Sequence, residues 1–221
     1  MTDPKPGIVF TIGRAVLRPV LALGFRPHIT GRENVPESGP VLLVSNHLSG
    51  FDTILIPSFA PRKVQFLAKA SLFSSALGRW FFTRIGAIPV YREASSAAQA
   101  ALDSGRRVLA AGNVFAVFPE GSRSRDGRLY RGKPGAAWLA LETGAAVVPV
   151  GLIGTSRKVT GRRWPRGRAQ IKYGQPLDFS ALAALPGGRA RREATEQIMC
   201  AIQALTGQER TDAHASGAVG A

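Results

Sequence analysis

Short apolar runs alternate with helical patterns along this chain of 221 residues. Three of the runs, Val41–Val44, Val114–Phe118 and Val147–Val150, predict buried strands because they are aliphatic or aromatic and lie between segments rich in Gly, Pro or polar residues. A helical pattern over 97–111 precedes the second run. This alternation predicts an α/β fold with a mostly parallel central sheet flanked by helices. Ligands bind at the carboxyl ends of such strands, so the residues that follow each run are the first candidates for a site.

The segment after the first run carries the main candidate for chemistry. His47 lies at the end of this run, and Asp52 comes five residues later. A spacing of five is poor on a continuous helix, so we expect His47 on a loop and Asp52 at or near a helix N-cap, with its carboxylate reaching back to the imidazole. Such a pair leaves the second ring nitrogen free to take a proton from a substrate hydroxyl. It predicts a general base, although a capping Asp beside a loop histidine has the same spacing without catalysis.

The segment after the second strand is rich in cations. Five basic residues and one acid, Asp126, lie between Gly121 and Lys133. Arginine binds phosphate oxygens bidentately, and the backbone N–H groups of a loop add further donors. A further apolar run that begins at Gly86 ends in Arg92. The strand ends together predict a site for an anionic substrate.

With these residues the chain resembles the glycerolipid acyltransferase family, and most closely its 1-acylglycerol-3-phosphate (lysophosphatidate) acyltransferases. Asn46-His47-x4-Asp52 looks like the family's first motif, and Gly86 to Arg92 looks like the second. Phe118-Pro119-Glu120-Gly121-Ser122-Arg123-Ser124 is similar to the third, and Val148-Pro149-Val150 to the fourth. The resemblance covers roughly residues 30 to 180.

The resemblance implies transfer of an acyl group from a thioester of CoA or acyl carrier protein to the hydroxyl of a lysophospholipid, with no cofactor and no metal. It implies that His47 is the base and Asp52 its partner, and it places Arg92, Glu120, Gly121 and Arg123 around the acceptor with the cations on its phosphate. Backbone N–H groups near Gly121 or in the 48–50 loop are both candidates for stabilising the oxyanion. The full set of predicted substrate contacts is Asn46, Ser49, Lys69, Arg92, Glu120, Gly121, Ser122, Arg123 and Pro149.

Other chemistries find little support in the sequence. No serine lies in a Gly-x-Ser-x-Gly frame, and Cys200 is the single cysteine and lies in an apolar helical pattern. His28 and His214 are far from His47 in sequence, so no zinc site is predicted. Two alternatives stay open: the same fold acting on another lysophospholipid or a glycolipid, because Tyr91 stands where the family often has an acid, and a basic binding module without catalysis.

The charge of the chain favours anionic partners. Lys and Arg number 29 against 14 acids, a formal net charge of +15, and ten of these cations lie between Thr155 and Glu193 with two acids. Such a surface attracts CoA phosphates, an acidic carrier protein, an anionic membrane or nucleic acid. We expect the membrane and not nucleic acid, because of the N-terminal segment.

Residues 8–25 are apolar apart from Arg14 and Arg18, which share a face opposite Ile8, Ile12 and Val16. The two arginines interrupt the uncharged run that a membrane-spanning helix needs, so we expect a helix lying in the interface with its arginines towards anionic headgroups. Pro19 is expected to kink or divide it. A helix docked on its own core has the same pattern.

The domain organisation follows from these segments. We expect an amphipathic interface segment at 1–28, an acyltransferase domain at 29–205 and a disordered tail at 206–221, where Gly, Ala, Ser and isolated charges dominate. The aromatic cluster at 72–82 lines an acyl groove, deepens the membrane contact or belongs to the core. The single cysteine suits a reducing compartment, so we expect a peripheral or monotopic protein on the cytoplasmic face of the membrane without a transmembrane helix.

Overall fold

A computed structural model describes residues 8–90, 97–156 and 168–215. Its centre is a seven-stranded sheet in the order β1-β7-β6-β2-β5-β3-β4. The five strands from β6 to β4 are parallel, β7 is antiparallel to β6, and β1 is parallel to β7. The mostly parallel sheet predicted from the sequence is thereby confirmed. The strands are β1 (His28–Thr30), β2 (Val41–Ser45), β3 (Val64–Lys69), β4 (Ala87–Val90), β5 (Val114–Val117), β6 (Ala146–Ile153) and β7 (Gln170–Tyr173).

Helices cover both faces of the sheet. They are α1 (Ile8–Phe25), α2 (Asp52–Phe59), α3 (Ala76–Arg84), α4 (Ala97–Ala110), α5 (Gly135–Thr143) and α6 (Gly187–Thr206), with short 3₁₀ turns at Arg32–Asn34, Ala70–Phe73 and Ser180–Ala184. The central strand β2 is buried along its whole length. Its Val41 and Leu43 pack in a core with α1 and α2, while Leu42 and Val44 pack in a second core with α4, α5 and α6. This alternation is what a strand between two helical layers requires.

The orientation of α1 differs from the prediction. Its arginines face the protein: the guanidinium of Arg14 donates to the carbonyl oxygens of Ser58 (2.9 Å) and Ala60 (2.6 Å), and Arg18 lies over the ring of Phe59 at 5.7 Å. Arg14 satisfies the carbonyl groups at the end of α2, so the expectation that it points to headgroups is wrong. Arg18 is exposed and packs on Phe59. The helix also continues through Pro19 without division.

The outer face of α1 is apolar. Its exposed side chains range from Ile12 at 57% to Leu23 at 77% of their full accessibility, and the others are Ile8, Val16 and Val20. The inner face packs through buried Phe10, Leu21 and Phe25. The helix is therefore docked on its own domain and still presents an apolar stripe to its surroundings.

The predicted disordered tail is wrong for residues 207–215. Thr206 is the last residue of α6, and the chain then runs beside residues 127–131. The carbonyl of Glu209 accepts from the N–H of Leu129, and the N–H of Thr211 donates to the carbonyl of Leu129. Backbone hydrogen bonds, which composition does not reveal, hold this segment in place.

Several predicted features lie outside the described residues: Arg92, the end of the tail at 216–221, and five of the ten cations counted after Thr155, namely Arg157, Lys158, Arg162, Arg163 and Arg166. The side chain of Lys69 lies outside them as well. Among the helices that are described, none combines the length and apolar character needed to cross a bilayer.

Candidate active site

The carboxylate of Asp52 is bonded to the ring of His47. Asp52 begins α2, and its Oδ2 lies 2.9 Å from Nδ1 of His47. The same oxygen accepts from the N–H groups of Leu48 and Ser49, both at 2.7 Å. The predicted contact is present, and because Oδ2 of Asp52 accepts a hydrogen bond from Nδ1–H, Nε2 is the nitrogen left for a substrate.

The plane of the His47 ring is fixed by stacking. Phe118 lies parallel to it, with 4.0 Å between the ring centroids and 12° between the planes. His47 is 8% exposed and lines a cavity, so the ring is largely buried yet reaches open space. Since β2 and β5 are neighbours in register, with Val44 beside Val117, the residues that follow both strands meet at the same edge of the sheet.

The peptide group of His47 is held from the β5 side. Its N–H donates to Oε1 of Glu120 at 2.9 Å, and its carbonyl accepts from the N–H of Ser124 at 2.7 Å. The other carboxyl oxygen of Glu120 accepts from the N–H of Tyr130 at 3.0 Å. Burial raises the pKa of Glu120 to about 7, against the two backbone hydrogen bonds, which lower it.

Glu120 was predicted to line the acceptor site, and the structure places its side chain in the interior beside the site; its role there stays a prediction. Its side chain is fully buried, with both oxygens committed to the backbone of His47 and Tyr130. It braces the loop that carries the imidazole, whereas a substrate contact would need an open side chain.

The segment 121–133, called the cationic loop below, begins at Gly121. The backbone of Gly121 is in the left-handed region, at φ 75°. A Cβ at this position would lie 2.9 Å from Nζ of Lys133, so the Lys133 side chain covers the glycine backbone. A larger residue would displace that side chain and would be strained by the positive φ. The guanidinium of Arg123 lies on the other side of the site, where Nη1 would be 3.8 Å from a Cβ on Gly50. The predicted meeting of the His47 loop with cations is therefore present.

A cavity of about 580 Å³ extends from His47 and Arg123 under α1. Its far walls are apolar and come from α1, α2, β3 and α3: Phe10, Leu17, Ile54, Phe66, Phe81 and Phe82. The 72–82 cluster thus lines the cavity through Leu72, Phe81 and Phe82, while Leu77 and Trp80 are exposed. The cavity thus has a base and a cation at one end and apolar walls at the other.

The amides expected to stabilise an oxyanion are mostly occupied. Those of Leu48 and Ser49 donate to Asp52, and that of Gly121 donates to the carbonyl of Phe118 at 3.0 Å. The sequence made these three N–H groups candidates for the oxyanion. In the structure each donates to an acceptor within its own turn, so none of them is left for an oxyanion.

Two further predicted substrate contacts lie in the interior. Asn46 is fully buried, and its side chain exchanges two hydrogen bonds of 2.8 Å with the backbone of Leu152 on β6. Pro149 lies within β6 beside Val44 and packs against Gly174. The structure thus places both residues in the interior at the sheet edge, and their role as substrate contacts stays a prediction.

The two serines are placed as turn and loop residues. Oγ of Ser49 accepts from the N–H of Phe51 at 3.3 Å, and Oγ of Ser122 donates to the carbonyl of Ala215 at 3.0 Å. Sequence reasoning missed four residues around the site: Arg14, Phe118 as a stacking partner, Lys133 over Gly121, and Gln208. The apolar 8–25 pattern included Arg14, but only tertiary packing brings it to the cavity.

The family model named Acyltransferase matches residues 26–153. The chain is 35% identical over 134 residues to the chloroplastic 1-acyl-sn-glycerol-3-phosphate acyltransferase LPAT1 of Arabidopsis thaliana, which is 60% of this chain and 37% of that protein. It is 34% identical over 149 residues to the 1-acyl-sn-glycerol-3-phosphate acyltransferase of Borreliella burgdorferi, with 66% and 59% of the two chains covered. The chain therefore spans less than two thirds of the length of these relatives.

A solved structure has the same fold. The crystal structure of the 1-acyl-sn-glycerophosphate (LPA) acyltransferase PlsC from Thermotoga maritima superposes with a TM-score of 0.63 at 25% identity. The alignment covers 88% of this chain and 82% of that one. The likeness thus extends beyond the 26–153 region.

Proposed function

The chain belongs to the Acyltransferase family, and from this membership we propose that it transfers an acyl group from a thioester to the sn-2 hydroxyl of 1-acylglycerol-3-phosphate, giving phosphatidic acid. The observation that carries the proposal is the Asp52–His47 pair at the mouth of a cavity that has Arg123 at its polar end and apolar walls beyond. A base, a cation and a greasy chamber are what an acyl transfer to a lysophosphatidate needs.

The base is His47. Asp52 holds the proton on Nδ1, so Nε2 accepts the proton of the acceptor hydroxyl as its oxygen attacks the carbonyl carbon of the thioester. Asp52 then stabilises the imidazolium by its charge. When the tetrahedral intermediate collapses, the carbon–sulfur bond breaks and the imidazolium returns the proton to the departing thiolate. The products are an ester and a free thiol, with His47 regenerated.

The oxyanion formed in that attack needs donors near His47. Of the described amides in the two loops, Leu48, Ser49, Phe51, Asp52, Gly121 and Ser124 are all engaged within the protein. Gly50 lines the cavity, so its N–H is the donor we assign to the oxyanion.

The polar and apolar ends of the cavity divide the substrate. Arg123 supplies a planar donor group for a phosphate, with Lys133 on the neighbouring Gly121 adding charge. The apolar walls between α1 and α3 take an acyl chain, whose burial is favourable by about 0.8 kcal/mol per methylene. No cofactor or metal enters this scheme, and the donor is acyl-CoA or an acyl carrier protein.

An apolar face of the protein binds the membrane. The apolar stripe of α1 lies beside exposed Leu72, Leu77 and Trp80 of the neighbouring 3₁₀ turn and α3. Insertion of this face into an anionic leaflet would place the cavity at the level of the lipids, and it would hold the enzyme at the cytoplasmic face as a peripheral or monotopic protein. Apolar side chains drive this contact, since Arg14 is bonded to the protein and Arg18 packs on Phe59.

The test is an assay of purified protein with lysophosphatidate and acyl-CoA, following thiol release and phosphatidic acid by mass spectrometry. We expect turnover that the His47→Ala substitution lowers by about 100-fold or more. His28→Ala, on an exposed strand end, is the matched control and keeps wild-type turnover. A His47→Ala variant within a few-fold of wild type would show that the base assignment is wrong.

A panel of acceptors separates the alternatives. Turnover with another lysophospholipid or a glycolipid, and none with lysophosphatidate, would replace the proposed substrate. Absence of thiol release with every acceptor, together with salt-sensitive binding to DNA, would favour the basic binding module.

A further inference from the structure

Gln208 bridges the two loops that build the site. It lies two residues beyond the end of α6, and its Oε1 accepts from Nδ2 of Asn46 at 2.8 Å. Its Nε2 donates to the carbonyl of Gly127 at 2.6 Å. One side chain thus ties the residue before His47 to the loop that carries Arg123.

Asn46 depends on this partner. Its amide has two N–H bonds, of which one goes to the carbonyl of Leu152 and the other to Gln208, while its oxygen accepts from the N–H of Leu152. The side chain is fully buried. Removal of the Gln208 amide would leave a buried N–H without a partner, and the cheapest relief is a shift of Asn46 and of the peptide that follows.

The segment 208–215 fastens the cationic loop over its length. Besides the bonds of Leu129 with this segment, the N–H of Arg131 donates to the carbonyl of Ala213 at 3.0 Å. Ser122, next to Arg123, donates to the carbonyl of Ala215. The segment is also anchored to α6, where the guanidinium of Arg210 pairs with Glu196 at 2.8 Å.

We propose that Gln208 is a positioning residue for acyl transfer, acting through Asn46 on the placement of the His47 ring relative to the cationic loop. The inference rests on the proposed function of the same site. Gln208 lies outside residues 26–153, so the family match does not include it. Its contacts reach the backbone and Asn46, and none of them requires the substrate.

The proposal predicts a particular kinetic pattern. A misplaced base stabilises the transition state less well, while the phosphate contact of Arg123 and the apolar part of the cavity still bind the lipid. Loss of the bridge should therefore lower kcat by about tenfold, within the hundredfold that a displacement of 1 Å can cause, and leave KM for lysophosphatidate within about twofold.

The experiment uses the full chain with Gln208→Met, which keeps the length of the side chain and removes both hydrogen bonds. Turnover is measured well below the unfolding midpoint of each variant, and the ring resonances of His47 are recorded by NMR. The sequence has three histidines, so His47→Ala identifies the relevant signals. We expect a lower kcat, an unchanged KM and a shift of the His47 ring signals.

Glu196→Gln is the matched control, because it weakens the anchor of the same segment without touching Asn46. We expect kcat and the His47 signals of this variant to stay as in the wild type. Gln208→Asn is the second test variant. It keeps an amide at this position, so it serves as the test if Gln208→Met does not fold. Its side chain is one methylene too short to reach both partners, and the same fall in kcat is expected.

A variant that lowers only the unfolding midpoint, with kcat and the His47 signals unchanged, would overturn the proposal and leave Gln208 a purely structural residue. A wild-type protein without transferase activity would instead refute the proposed function. The NMR signals would still report whether Gln208 places the ring, so the two failures are distinguishable.

Discussion

The backbone N–H of His47 donates to the buried carboxyl of Glu120 at 2.9 Å. The second oxygen of the same carboxyl holds Tyr130, so one side chain from the end of β5 fixes both the loop of the base and the far end of the cationic loop. An acid in this position is costly to ionise, and its pKa of about 7 gives the site a titration of its own.

The pKa of Glu120 predicts a pH-dependent stability. In the unfolded chain the carboxyl ionises near its ordinary value of 4.5, whereas in the folded protein it keeps its proton until about pH 7. The folded state therefore binds more protons between these values, and its free energy of unfolding falls as the pH rises from about 5 to about 8. The effect amounts to at most about 3.5 kcal/mol, at about 1.4 kcal/mol per pKa unit.

Chemical denaturation across this pH range measures the effect, with Glu120→Gln as the comparison because its amide does not ionise. The stability difference between wild type and this variant should shift against the wild type as the pH rises. Glu37→Gln, at an exposed position, should show no such trend. A constant difference between wild type and Glu120→Gln would contradict the raised pKa.

Asp52→Asn should abolish most turnover and spare binding. The neutral amide cannot stabilise an imidazolium by its charge. Its NH2 group cannot accept any of the three hydrogen bonds that Oδ2 now accepts. We expect kcat to fall by about 100-fold or more, with KM for lysophosphatidate changed by a few-fold only. Steady-state kinetics with Asp126→Asn as an exposed control measures this. A rise in KM at constant kcat would show that Asp52 serves binding instead.

The sequence predicted the elements near the site more closely than the contacts of its side chains. The strands at Val41 and Val114 and helix α4 were located to within a residue, because buried parallel strands and amphipathic helices have distinctive apolar periods. Asn46 and Glu120 were expected to contact the substrate, whereas in the structure both side chains are fully buried. Whether a polar residue after a strand points into a cavity or under it depends on its hydrogen-bond partners. Leu152 lies 106 residues from Asn46, and His47 lies 73 residues from Glu120, so these partners are distant in sequence.

The face of α1 that packs on the protein is a second feature that the sequence pattern did not determine. A helix with two arginines on one face has the same pattern whether that face meets headgroups or protein carbonyls. The open carbonyls of Ser58 and Ala60 decide the matter, and they belong to the end of another helix. The roles assigned to His47 and Arg123 stay predictions.

Arg123 should determine affinity for the phosphate. Its Nη1 lies near Gly50 at the polar end of the cavity, so Arg123→Ala should raise KM for lysophosphatidate by about 10- to 100-fold, the value of a charge-assisted pair. Arg125→Ala, an exposed neighbour, is the matched control. An acceptor without a phosphate monoester, such as a monoacylglycerol, should be affected little by either change. Equal effects of both substitutions would show that the positive charge of the loop as a whole attracts the phosphate, without a specific contact from Arg123.

The outer face of α1 should carry membrane binding. Val16 and Leu23 are 62% and 77% exposed, and replacing both by Asp removes about 1.5–3 kcal/mol of burial per side chain while adding charge. We expect sedimentation with anionic vesicles to weaken by about tenfold or more, with the unfolding midpoint little changed. Ala100→Asp, at an exposed position on α4, provides a control of the same charge. Unchanged sedimentation of the double variant would place the membrane contact elsewhere.

Gly13 offers a test of the apolar chamber itself. It lines the cavity from α1, and a Cβ there would meet Cγ2 of Ile85 at an ordinary 3.8 Å, so a larger side chain extends into free space between α1 and α3. Gly13→Leu also favours the helix by roughly 0.8 kcal/mol, so we expect the variant to fold. Turnover with a series of acyl-CoA donors should shift towards shorter chains, because the new side chain fills the volume that long chains occupy. The site of proton transfer is untouched by this change, so kcat with the shortest donors should remain that of the wild type. An equal loss for all donors would mean that the acyl chain lies outside this cavity.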